Sequence, residues 1–237
     1  MAVEINNLTS GETLHIGNAG QLPMYLASDY VGSAGGKYRL SVHSNLLTAI
    51  SALTATGDVG QIAQFRWGSS TKTCLIDKIE ISMQSVTDAA ALQEITLAIR
   101  QVGTHTATAS GGTTTASLST VAVLTGDNGK LRAGYPTTAL TDFRISDTAD
   151  LTCGAGARAL FVNNFLTMHC NIRAAGTTLE RPVHEKAWEA KGSPLILTQD
   201  MGIALVNERV VWPATHTATI CMAVEWRELL NAEVPSA

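Results

Sequence analysis

Ala218-Thr219-Ile220-Cys221-Met222-Ala223-Val224-Glu225-Trp226-Arg227 is the stretch whose reading decides the fold. Ala218, Ile220, Met222, Val224 and Trp226 fall on one side of it, and Thr219, Cys221, Ala223, Glu225 and Arg227 on the other. Successive side chains of a strand point to opposite faces of its sheet, so this strict period of two is the pattern of a strand with one buried face. A helix would scatter the same residues around its circumference. Working outward, residues 194–230 read as strand, tight turn, strand, loop and one long final strand, with Gln199-Asp200-Met201-Gly202 as the turn into 203–206.

The same alternation recurs upstream. Tyr38, Leu40 and Val42 alternate with Arg39, Ser41 and His43, and residues 62–67 form a second clear strand. Residues 74–85 form another, but its parity changes: Cys74 and Ile76 lie on even positions, whereas Ile79, Ile81 and Met83 lie on odd ones. One unpaired residue produces that change, so a β-bulge is expected at Asp77 and Lys78. Ile95, Leu97 and Ile99 are expected inward, with Thr96, Ala98 and Arg100 outward. Residues 143–146 and 160–172 also read as strands, and residues 187–189 precede the Lys191-Gly192-Ser193-Pro194 turn that launches 195–197. Leu46, Leu47, Ile50 and Leu53 fit either a short helix or an irregular strand. Residues 103–120, rich in Thr, Ser, Gly and Ala, have almost nothing to bury and read as a long surface loop. Asp127-Asn128-Gly129 is a strong turn signal.

Residues 1–36 read as an extended arm, because their short apolar pieces (Leu14 and Ile16; Met24, Tyr25 and Leu26) are broken by glycines and Pro23. Such a segment is flexible or tied down by a neighbour. The expected organisation is therefore an arm at 1–36, a β-sandwich domain at 37–230 and a tail at 231–237. Eight to ten short strands with Gly-rich and Thr-rich connections argue an all-β, antiparallel β-sandwich, with a jelly roll as the expected variety.

Composition narrows the function. The chain has 237 residues, 45% hydrophobic and 15% charged, with a formal net charge of −4. Charged residues make up roughly 25% of an ordinary soluble domain. A weakly charged, net acidic surface is a poor match for nucleic acid, which needs clustered Lys and Arg to displace counterions. No direct nucleic-acid partner is expected. The start, Met1 to Asn7, shows no secretory pattern, and no run approaches a membrane span, so a protein made in a cytoplasm without a membrane partner is expected. Cys74, Cys153, Cys170 and Cys221 show no paired spacing and are expected to be free and mostly buried.

No residue set demands chemistry. His169 and Cys170 are neighbours on a strand and face opposite ways, and neither has a partner at a zinc-site spacing. His184 with Glu185 lacks the second histidine of a zinc protease. His216 lies in a loop context, Pro213 to Thr217. There is no G-x-S-x-G elbow, catalytic cysteine signature, G-x-G-x-x-G run or Walker lysine. The carboxylates (Asp77, Glu80, Glu94, Asp142, Asp150, Glu180, Glu185, Glu189 and Asp200) single out no catalytic pair. Trp67 and Trp226 fit the core face of strands, while Trp212, before Pro213, is the better candidate among the tryptophans for a contact surface, with core packing still favoured. No catalytic, cofactor-binding or metal-binding residue is expected, and no cofactor.

The order of segments carries a resemblance. Gly36-Lys37-Tyr38-Arg39-Leu40 is followed by Gln64-Phe65-Arg66-Trp67, then the bulged strand, then Thr125-Gly126-Asp127-Asn128-Gly129-Lys130-Leu131-Arg132 with Tyr135-Pro136-Thr137-Thr138. Asp142-Phe143-Arg144-Ile145-Ser146, Pro194 to Ile203 and Val224-Glu225-Trp226-Arg227-Glu228 complete it. The ordered set, spanning Gly36 to Glu228, resembles a group of tailed-bacteriophage proteins taken to be virion components. The resemblance implies a structural role in the virion, with no enzymatic activity. Its leading form is a capsid decoration or cement protein bridging shell subunits, with the major capsid protein or other virion proteins as partners. Exposed edge strands make a closed homo-oligomer, such as a trimer, the expected assembly. Alternatives are a tail or fibre component touching the host surface, or a carbohydrate-binding sandwich using its tryptophans.

Overall fold

A computed structural model describes residues 4–6, 13–15, 35–54, 59–114, 136–153, 158–176, 182–191 and 193–234. Thirteen strands are named among them, in chain order: β1 Glu4–Asn6, β2 Thr13–His15, β3 Gly36–His43, β4 Gln61–Trp67, β5 Lys72–Thr87, β6 Gln93–His105, β7 Thr113–Thr114, β8 Leu140–Ile145, β9 Arg158–Ile172, β10 Val183–Glu189, β11 Leu195–Leu197, β12 Met201–Asn207 and β13 Thr217–Leu230. A 3₁₀ turn, Asn231–Glu233, follows β13. Among the described residues, strands β1 and β2 pair only with each other. The rest of the expected arm and the Asp127-Asn128-Gly129 turn lie outside the described residues.

The other strands form two sheets. One has the order β10-β5-β13-β3, with β11 also on β5, and the other runs β7-β8-β4-β12-β6-β9. Every strand pair is antiparallel. Leaving aside β7, β8 and β11, the sheets hold β3 beside β13, β4 beside β12, β5 beside β10 and β6 beside β9. The first four strands thus meet the last four in reverse order. A long antiparallel hairpin wound into two four-stranded sheets has this order, and it is the jelly roll. Strands β7 and β8 belong to an insertion between β6 and β9 that extends the second sheet beyond β4.

The alternation in β13 builds the core as expected. Ala218, Ile220, Met222, Val224 and Trp226 are buried between the sheets beside Tyr38, Leu40 and Val42 of β3. Trp226 stacks on Tyr38, ring centroids 5.4 Å apart, and meets Phe65 edge-on at 5.2 Å. The expected bulge is present: Trp226 pairs with Ile76 and Glu225 with Lys78, leaving Asp77 as the extra residue. A second irregularity sits near the end of β5, where Thr217 pairs with Thr87 and Ala218 with Ser85.

Several readings change. Residues 46–53 form neither a helix nor a regular strand, only isolated bridges at Leu47 and Ala49, because Leu47 and Ile50 dip into the core from an irregular segment. The stretch from 103 is not all loop: β6 continues to His105, and both His105 and Ala109 are buried, the latter against Leu151 and Cys153. Residues 115–120 lie outside the described residues. Thr96 and Ala98 point outward yet are buried. Leu53 and Leu160 pack onto a small second core of Ala98, Val102, Ala204 and Val206 on the outer face of that sheet. The expected tail begins as a pinned turn, since Asn231 donates to the Ser70 carbonyl at 2.9 Å and accepts from Thr73 Oγ1 at 2.9 Å.

Candidate functional site

The outer face of the β10-β5-β13-β3 sheet is where exposed polar side chains line up. Register places three rows of four side by side: His43, Cys221, Ser82 and Glu185; then Ser41, Ala223, Glu80 and Ala187; then Arg39, Glu225, Lys78 and Glu189. The first two rows, with Arg39, line a shallow concavity of about 500 Å³. Alternating charges cross the third row. Glu225 lies 2.9 Å from Lys37 and 3.9 Å from Arg39, while Lys78 lies 2.9 Å from Glu80 and 3.0 Å from Glu189. Arg39 also meets Glu80 at 2.5 Å, linking the two halves into one chain of ion pairs. The Lys78 and Arg39 contacts hold the Glu80 carboxyl below its ordinary value, and the Glu80 and Glu189 carboxylates raise Lys78.

In the concavity, His43 Nε2 approaches Cys221 Sγ at 3.6 Å. A catalytic thiol needs a lowered pKa. Here burial, followed by the nearby Glu80 charge, pushes the Cys221 thiol up, and Arg39 only partly offsets them. The raised Cys221 thiol is therefore not an activated nucleophile at neutral pH. Among the described residues no group of three or more His, Cys, Asp or Glu side chains could hold a metal ion.

The residues weighed from sequence fall into separate places. His169 faces outward against Glu94 at 3.1 Å, while Cys170 is buried behind it. His184 and Glu185 follow one another on β10. His216 is fully buried in the β12–β13 loop, its Nδ1 2.9 Å from the Thr87 carbonyl. Trp67 and Trp226 lie in the core and Trp188 packs edge-on against Phe165. Trp212 is no contact surface: it is 3% exposed, held over His216 with its backbone NH on the Ile50 carbonyl. All four cysteines are free. The His43–Cys221 pair was missed because each residue reads only as outward-facing; strand order alone brings them together.

Among the described residues, the segments that carry the resemblance do meet. Tyr38 Oη donates to the Pro136 carbonyl at 2.9 Å, and Gln64 Nε2 donates to Asp142 Oδ2 at 3.0 Å. Arg66 bridges to Asp200 at 3.1 Å. The Ala139 backbone NH donates to the fully buried Glu228 carboxylate at 2.9 Å, Thr138 Oγ1 donates to it as well, and Lys72 neutralises it from 3.0 Å. A buried charge is tolerated only when paired and hydrogen-bonded, and these contacts meet that condition. The polar residues of those segments thus tie strands to one another and to the connections beside them.

No protein-family model matches the chain, and no curated protein matches it. Among solved structures, a chain from the structure of infectious bursal disease virus, Gx strain, is similar at 11% identity and a TM-score of 0.18. The alignment covers 94% of this chain and 48% of that one, so this chain spans about half its length. A likeness that slight bears on neither fold detail nor function.

Proposed function

We propose that this chain is a non-enzymatic virion structural protein of a tailed bacteriophage, acting as a capsid decoration protein that bridges subunits of the shell. The observation that carries this reading is the role of the residues behind the resemblance. Tyr38, Gln64, Arg66, Asp142, Asp200 and Glu228 are engaged in ties between segments far apart in the chain. They build a scaffold and leave no reactive group poised. The filled interior points the same way: Trp226, Phe65, Phe143 and Tyr38 occupy the space between the sheets that a ligand-binding barrel would keep open. What remains for function is the exterior, as befits a protein that works by adding contacts. The carbohydrate-binding alternative loses its best residue, since Trp212 is buried.

The test is immunogold electron microscopy of intact particles with antibody against this chain, joined to mass spectrometry of purified particles. Gold over the head, with the chain present in stoichiometric amounts, is the expected result. Gold at the tail tip moves the role to host contact. Absence of the chain from purified particles overturns the reading.

A further inference from the structure

The outer face of the β10-β5-β13-β3 sheet is open: Arg39, Ser41 and His43 at one edge and Glu185, Ala187 and Glu189 at the other are all exposed. Its charges nearly balance. Lys37, Arg39 and Lys78 stand against Glu80, Glu185, Glu189 and Glu225. Lys186 pairs with Ile81 and so takes the opposite parity, while Arg227 and Asp77, beyond the third row, are spent on each other. Such a face has little net charge with which to repel its own kind.

The order of the signs singles out a second copy. Across β3, β13, β5 and β10 the third row reads Arg39, Glu225, Lys78 and Glu189: plus, minus, plus, minus. A two-fold axis parallel to the strands, between β13 and β5, lays β3 of one copy over β10 of the other and β13 over β5. Arg39 then meets Glu189 of the second copy and Glu225 meets Lys78, so every charge of the row faces its opposite. The same turn sets His43 over Glu185 and Cys221 over Ser82 in the first row, and Ser41 over Ala187 and Ala223 over Glu80 in the second. An axis across the strands, through the third row, would lay Arg39 on Arg39 and Glu225 on Glu225, which repulsion disfavours. The contacts within each chain survive the pairing, because a carboxylate accepts from more than one donor. Glu189, held by Lys78, is still 60% exposed at its side chain.

We infer that two copies of this chain pair face to face through this sheet, about a two-fold axis parallel to its strands. Four strands at about 4.8 Å and four rows at about 6.8 Å make a face that buries roughly 1,000 Å² over both copies. That is the lower end for a specific interface, so the pair forms weakly and reversibly. The fourth row, Thr219, Gln84 and Val183, adds an apolar side chain that is 55% exposed in the single chain. Ser41, Ala223 and Ala187 are small and floor the concavity, so the two copies meet there across water, as interfaces commonly do. The dimer requires nothing of the virion reading, and free protein tests it.

The experiment is sedimentation velocity of the purified full chain from micromolar to about 0.5 mM, at low salt and in about 0.5 M sodium chloride. Arg39→Glu, Glu189→Arg, an equimolar mixture of the two and, as a control in the β12–β13 connection, Arg209→Glu are run beside wild type. A wild-type dimer that weakens in salt is expected. Each variant alone sets like charges against each other and should weaken the dimer at least about tenfold, with circular dichroism and thermal midpoint close to those of wild type. The mixture should restore it, because each variant meets the opposite charge on a copy of the other. Arg209→Glu should leave it unchanged. A wild type that stays monomeric over the whole range overturns the inference. So does a dimer that both variants leave intact, which would lie on another surface, and so does a trimer, which no two-fold axis closes. Weakening by each variant without recovery in the mixture overturns it as well, because damage to the fold cannot be repaired by the second copy.

Discussion

Arg227 and Asp77 form a two-pronged ion pair on the outer side of the β13–β5 pairing, with Nε donating to Oδ2 at 2.7 Å and Nη2 to Oδ1 at 2.8 Å. Arg227 is 1% exposed, and Asp77 is the residue left over by the bulge in β5. The bulge therefore does two jobs. It switches the parity that lets both Cys74 and Ile76 and, further on, Ile79 and Ile81 face inward, and it aims a carboxylate at a buried guanidinium.

Removing one partner of a buried pair costs about 3–5 kcal/mol, whereas replacing both by apolar groups is often nearly neutral. Asp77→Ala is thus expected to destabilise by that order, and Asp77→Ala/Arg227→Met to recover more than half of the loss. Urea unfolding of the three proteins checks it. A double variant as unstable as Asp77→Ala would show that the arginine stem, and not its charge, matters.

The ion-pair chain on the same sheet face behaves differently because it is wet. Arg39, 45% exposed at its side chain, meets Glu80 and Glu225 across the strands. Exposed pairs of this kind contribute roughly 0.2–1 kcal/mol. Arg39→Met should therefore lower stability by no more than about 1 kcal/mol, with the difference shrinking in 0.5 M salt. Denaturant titration at two salt concentrations reads this directly, and a salt-independent loss of twice that size would contradict it.

How far the fold was legible follows from the range of each interaction. Strands β3 and β13 show their buried faces in the sequence because one neighbour-to-neighbour rule sets them, and the parity change at Asp77 is equally local. The order of strands, and with it the meeting of His43 with Cys221, depends on pairs far apart in the chain. Gln64 with Asp142 and Glu228 with Ala139 are of the same kind. Burial of outward residues was hidden for another reason. His105 is covered because Gly202 has no side chain: a Cβ there would come within 2.7 Å of His105 Cε1. Ala98 and Val206 are covered because Leu53, far away in sequence, lies over them. Trp212 looked like a loop residue, and it is one; the loop turns its ring into the core.

His216 makes stability depend on pH. Desolvation lowers its pKa below the ordinary 6.5, with the Thr87 carbonyl and the Asp88 charge opposing only in part. The unfolded chain then takes up a proton before the folded one does. The contribution of the neutral imidazole is fully present above the unfolded value and is lost as pH falls from about 6.5 through the folded value. A wild-type thermal midpoint that drops faster between pH 6.5 and 5 than that of His216→Asn is the expected outcome. Asparagine keeps a donor for the Thr87 carbonyl but cannot charge. Parallel pH profiles for the two proteins would remove His216 from the acid response.

Thiol reactivity bears most directly on the non-enzymatic reading. Burial pushes the Cys170 thiol up to about 12, and burial, followed by the charges of Glu228 and Asp77, raises the Cys74 thiol well above its ordinary value. Cys221 is half-buried beside His43, and its thiol is raised as well. Only the thiolate reacts with an alkylating agent, so a raised pKa slows labelling even where the sulfur is reachable. In the native protein at pH 8, iodoacetamide should label Cys221 slowly and leave Cys74, Cys153 and Cys170 untouched, while all four react in urea. Peptide mass spectrometry over a time course supplies the measurement. Rapid labelling of Cys221 at pH 6, lost in His43→Ala, would reveal a thiolate held by an imidazolium. That result would turn the concavity on the outer sheet into a reactive site and count against a purely structural role.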